Sequence, residues 1–105
     1  MANVPSGTYT VIVDDNFHYQ DSDHRTEIPE FASAEQAVEK CKRIVEACLE
    51  ECAEPGRSAE DIFACYQSYG DDPWIKCPRD APTVHFSAWD YARQNAHRFV
   101  QHGQV

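Results

Sequence analysis

Residues Ser33 to Cys52 read SAEQAVEKCKRIVEACLEEC. Ala34, Ala37, Val38, Cys41, Val45, Cys48, Leu49 and Cys52 recur there at steps of three and four. That spacing predicts a helix with one buried face, because residues three and four apart stack on the same side. Ser33 with Gln36 has the capping-box spacing, and Glu35 suits the positive end of the helix. Glu39, Lys42, Arg43, Glu46 and Glu50 fall on the outward face. Favourable and like-charged pairs on that face offset each other, so burial of the stripe decides whether the helix forms.

The chain before this helix reads as strands. Thr8 to Val13, TYTVIV, is β-branched or aromatic throughout. Asp14-Asp15-Asn16 is read as a bulge that carries the strand on to Tyr19. Asp21-Ser22-Asp23 is turn chemistry, which places a hairpin turn near Gln20 to His24. Arg25 to Phe31, RTEIPEF, is the return strand. Pro29 has no N–H to donate and so belongs at an edge or at the strand's end.

Downstream, Glu54-Pro55-Gly56-Arg57 is a turn. Ser58 with Asp61 opens a second helix whose inner face is Ile62, Cys65, Tyr66 and Tyr69. Gly70 is expected as its left-handed stop, with Asp71-Asp72-Pro73 preventing continuation. Trp74 to Cys77 is a candidate short strand. Thr83 to Phe86 leads into a third helix capped by Ser87, with Asp90 three positions on. Phe86 and Tyr91 are spaced as a hydrophobic staple. Trp89, Ala92, Ala96, Phe99 and Val100 form its expected inner stripe, and Gly103 its end. The fold expected is α+β: an antiparallel β-hairpin, with a third short strand as an option, packed on three helices in the order β-β-α-α-(β)-α.

Length and composition bound the rest. The chain has 105 residues, 42% hydrophobic and 26% charged, which suits one small domain with its own core. Eighteen Asp and Glu against nine Lys and Arg give a formal charge of −9. Such a surface repels phosphate and anionic lipid, so nucleic acid and membrane are not expected partners, whereas a basic protein is. The first residues, MANVPSGTYT, have no positive flank and no apolar segment of the secretory kind. The longest aliphatic run is Val11-Ile12-Val13, too short to span a membrane.

The five cysteines are read as reduced thiols in a cytoplasmic protein. Cys41, Cys48 and Cys52 lie one or two turns apart on one helix face, a poor geometry for bridging one another. Cys65 fits its own helix stripe as a small hydrophobe. Cys77, beside Pro78 and Arg79, is the thiol expected to be exposed and reactive. No C-x-x-C pair is present, so the zinc-ribbon and thioredoxin-like signatures are missing.

The stretches YTVIVDDNFHY, FASAEQAVEKCKRIV, GDDPWI and FSAWDYA resemble a family of short uncharacterised bacterial proteins. The resemblance covers most of the chain and implies a small α+β fold and a bacterial origin. It implies no substrate, cofactor or catalytic residue.

Function is sought in the acidic hairpin. Asp14, Asp15, Asn16, His18, Asp21, Asp23 and His24 place many oxygens and two imidazoles in a short span. The segment from Asp21 lacks the sixth-position glycine of an EF-hand loop, and acidic residues also protect sheet edges from pairing. No G-x-S-x-G elbow or Gly-rich phosphate cradle occurs, and Ser33, Ser58 and Ser87 are accounted for as caps. The expectation is a non-catalytic interaction or regulatory module, without a cofactor. Asp14, Asp15, His18, Asp21, Asp23 and Trp74 are its candidate partner-binding residues. The alternative is a metal-dependent protein or small enzyme with a site between the hairpin and the His85 segment. A nucleic-acid mimic ranks last, because the acidic residues are dispersed.

Overall fold

The computed structural model describes residues 8–15, 25–79, 81 and 83–101. The chain runs β1 (Tyr9–Asp15), β2 (Thr26–Phe31), α1 (Ala34–Cys52), α2 (Ala59–Tyr69), β3 (Asp71–Lys76) and α3 (Ala88–Asn95), then a 3-10 turn over Ala96–Phe99. This is the expected α+β class, with the third strand present. The expected turn near Gln20 to His24, the continuation through Tyr19 and the stop at Gly103 lie outside the described residues.

The sheet is antiparallel in the order β2-β1-β3. The chain's most β-prone run, β1, takes the centre, where Val11 and Ile12 are buried. Pro29 and Pro73 fall on the two outer strands, where a missing N–H can face away from the ladder. β3 begins three residues before Trp74, which corrects the reading of Asp71-Asp72-Pro73 as a mere helix stop. Asp and Pro are poor strand formers. Burial of Pro73 and Ile75 opposite Val13 and Val11 overrides that preference.

The bulge expected over Asp14-Asp15-Asn16 runs into Asn16, outside the described residues, and another irregularity lies earlier in β1. Asp14 and Asp15 stay in register with β3, while the register shifts between Tyr9 and Val11 on the β2 side. There Pro29 and Glu30 fill the gap between Ile28 and Phe31, and Glu30 has φ 75°.

α1 carries two clusters along its length. Ala37 and Cys41 pack with Tyr9, Val11 and Ile75 of the sheet. Val45, Leu49 and Cys52 pack with Ile62 and Tyr66 of α2 and with Ala88, Ala92 and Ala96. All five buried residues of α1 belong to the expected stripe. Ser33, Ser58 and Ser87 accept the N–H of Gln36, Asp61 and Asp90 as caps. Phe86 and Tyr91 meet with ring centroids 5.7 Å apart, as the staple requires.

Four expectations about side chains change. Trp89 is 40% exposed, because the small residues Ala88, Ala92 and Ala96 face inward in its place, and Tyr69 at the end of α2 is exposed as well. Gly70 has φ −80°, so it is extended rather than left-handed. What Gly70 supplies is space, since an added Cβ would lie 2.3 Å from Cδ1 of the buried Tyr66 ring. Reduced thiols hold only for Cys41, Cys48 and Cys77. Cys52 and Cys65 form a disulfide with Cα atoms 5.9 Å apart. The spacing argument covers pairs within α1, but the partner of Cys52 comes from α2.

Candidate functional site

Pairing of β1 with β3 sets Asp14 opposite Asp72 and Asp15 opposite Asp71. Two like-charged pairs therefore sit side by side at one end of the sheet, an arrangement that costs stability. By strand alternation, Asp14 and Asp72 share a face with Ile12 and Trp74, while Asp15 and Asp71 lie on the α1 side. On that side Cys48 Sγ accepts the N–H of Asp71 at 3.3 Å, and the Tyr66 hydroxyl donates to the Asp71 carbonyl at 2.5 Å.

The four carboxylates are not equivalent. Asp14 accepts from Arg25 Nε at 2.7 Å, from Arg25 Nη2 at 3.3 Å and from Trp74 Nε1 at 3.0 Å. The Arg25 bond holds its carboxyl below the usual range, and Trp74 and the charge of Arg25 add to this against partial burial. The Arg25 guanidinium also lies 5.7 Å from the Trp74 ring centroid. Asp71 and Asp72 shift the other way. Burial raises both, followed by Asp15 and Glu51 for Asp71 and by Asp14 for Asp72. Burial likewise raises the Cys48 thiol, and it pushes Cys41 up to about 12, with Asp72 adding to the latter.

Of the residues singled out from the sequence, Asp14, Asp15 and Trp74 are brought together here. His18, Asp21 and Asp23 lie outside the described residues. Trp74 is partly committed to Asp14 and Arg25. Asp71, Asp72 and Glu51 were missed, because their proximity depends on β3 starting early and on α1 passing beneath it. The Cys77 thiol is engaged rather than free: its Sγ accepts the N–H of Val84 at 3.3 Å and faces the Val84 carbonyl at 3.7 Å.

His85 lies in another place. It lines a cleft of about 430 Å³ with Lys42, Phe86, Ser87, Asp90, Tyr91 and Gln94. The Tyr91 hydroxyl donates to Glu46, which also accepts from Arg98 at 3.4 Å, and the Lys42 ammonium sits 5.7 Å from the Tyr91 ring centroid. Burial, then the Glu46 bond, raises the Tyr91 phenol, so that phenol is a donor and not a base. Among the described residues no group of three His, Cys, Asp or Glu side chains could hold a metal ion. No helix of the described residues is long and apolar enough to cross a membrane.

No protein-family model, curated protein or solved structure matches the chain.

Proposed function

We propose that this chain is a non-catalytic interaction module that docks a basic segment of a partner protein on the acidic end of its sheet. One observation carries the reading: the cross-strand pairing of Asp14 with Asp72 and of Asp15 with Asp71. Their mutual repulsion lowers stability. A cationic partner relieves that repulsion on binding, so the strained charge becomes binding energy. Trp74, exposed beside Asp14 and stacked with Arg25, supplies a flat aromatic neighbour of the kind enriched in binding hot spots. The overall charge of −9 steers a basic partner inward and repels nucleic acid and anionic lipid. A bacterial origin belongs to the same proposal, supported by the resemblance of YTVIVDDNFHY, FASAEQAVEKCKRIV, GDDPWI and FSAWDYA to short uncharacterised bacterial proteins.

Decalysine serves as the probe. Asp71→Asn with Asp72→Asn should weaken its binding several-fold, and added salt should weaken it further. The control variant, Glu39→Gln with Glu50→Gln, lowers the net charge equally on the exposed face of α1. Equal loss in both variants would show diffuse attraction and sink the reading.

Cytoplasmic residence loses one support once Cys52 and Cys65 are bonded, because disulfides persist where the compartment is oxidising. The count of free thiols in protein acid-quenched directly from cells decides it. Five free thiols place the chain in a reducing cytoplasm, and three place it elsewhere.

A further inference from the structure

Asp71, the first residue of β3, is held on both sides of its backbone. Its N–H donates to Cys48 Sγ and its carbonyl accepts from the Tyr66 hydroxyl. Both holders flank the disulfide. Cys48 lies one turn before Cys52 on α1, and Tyr66 follows Cys65 on α2. Tyr66 is fully buried, and its ring lies so close to Gly70 that only a residue without a Cβ fits there. The bridge thus fixes the spacing of the two helices that grip the head of the acidic strand. Ile62 and Tyr66 are also packed against Val45 and Leu49, so α2 keeps an apolar seat on α1 when the bridge is open. A folded reduced state is therefore available.

We infer that the Cys52–Cys65 disulfide is a redox clamp on the acidic strand end: closed, it holds Asp71 and Asp72 opposite Asp15 and Asp14; opened by a dithiol reductant, it loosens them and weakens docking of a basic segment. The inference rests on the docking role proposed for that face. Opening is a two-electron exchange. Cys65 is the more exposed of the two residues, so a reductant thiolate attacks Cys65 Sγ and the Cys52–Cys65 bond breaks. Cys52 leaves as a thiolate and takes up a proton. The reductant's second thiolate then attacks the mixed disulfide and closes its own ring. Cys65 is released as a thiolate and is protonated in turn. The dithiol is oxidised to a cyclic disulfide, and its two protons end on Cys52 and Cys65. Cys48, one turn away, does not substitute for the reductant, because burial and nearby carboxylates keep it as the thiol.

The test compares oxidised protein, dithiothreitol-reduced protein and the Cys52→Ala/Cys65→Ala variant. Amide hydrogen exchange at Asp71 and Asp72 reports the clamp, and decalysine affinity reports docking. Exchange at these amides should quicken by about tenfold on opening. Affinity should fall by roughly tenfold while far-UV dichroism is unchanged. By linkage, saturating decalysine should shift the dithiol equilibrium toward the oxidised form by the same factor. Equal exchange in the open and closed states overturns the clamp, whatever the peptide does. Loss of far-UV dichroism on reduction overturns it too, since no folded open state then exists. If exchange changes but affinity does not, the response of the Asp71→Asn/Asp72→Asn variant separates the failures. A weakened variant defeats redox control of docking, and an unweakened one defeats the docking role itself.

Discussion

The carboxylates at the end of the sheet should show opposite pH signatures. Asp14 is held below its ordinary range by Arg25, so the folded state binds its proton less readily than the unfolded chain does. Its contribution is present above the unfolded carboxylate range and is lost as pH falls through the lowered folded value. Asp14→Asn should therefore lower Tm at pH 7, and the two melting curves should converge in acid. Asp72 behaves in reverse. Burial and Asp14 raise it, so stability falls as pH climbs from the unfolded value through the folded one. Asp72→Asn should raise stability at pH 7 by about 0.5 kcal/mol, the size of a like-charged cross-strand pair. The gain should vanish below the carboxylate range. Thermal melts from acid to neutral pH check both, and a gain for Asp72→Asn that persists in acid would contradict the charge account. Glu30 is a second local penalty. At φ 75° a side chain crowds the backbone, so Glu30→Gly should stabilise by up to about 1 kcal/mol in denaturant titration.

The elements meet where α2 hands over to β3. Gly70 is packed against the Tyr66 ring, and Tyr66 has no exposed surface to move into. Gly70→Ala should therefore cost about 1–3 kcal/mol through overpacking, not through loss of backbone freedom. Replacing Tyr66 by Phe tests the neighbouring bond: the ring stays, but the Asp71 carbonyl loses its donor, at a cost of about 1 kcal/mol. The disulfide spans 13 residues, for which chain entropy in the unfolded state corresponds to about 3 kcal/mol. Thiol titration in denaturant without reductant should give three thiols, rising to five after reduction. Five at the outset would remove the bridge from the account.

At the scale of the whole molecule, charge acts on folding and on docking with opposite signs. With a formal charge of −9 the compact chain repels itself. Raising salt from about 0.01 M to about 0.15 M shortens the screening length from about 30 Å to about 8 Å. Tm should rise over that range, while decalysine affinity falls. A fall in both would mean that local ion pairs outweigh the net repulsion. Within the chain, the period of α1, the three serine caps, the staple at Phe86 and Tyr91 and the β-branched run of β1 were legible directly. Each depends on neighbours within a few residues, where spacing dictates geometry. The start of β3, the inward turn of Ala88 instead of Trp89 and the role of Gly70 were not legible, because they depend on what lies opposite. The same division holds for the candidate site. Asp14, Asp15 and Trp74 stand out by composition, but Asp71, Asp72 and Glu51 join them only through pairing and the passage of α1. The helices, the central strand and the acidic charge follow from the residues alone, since these are local or additive properties. That Cys52 meets Cys65 and that four carboxylates pair across the strands emerges in the folded chain, because contacts between distant residues are fixed by burial of the whole core.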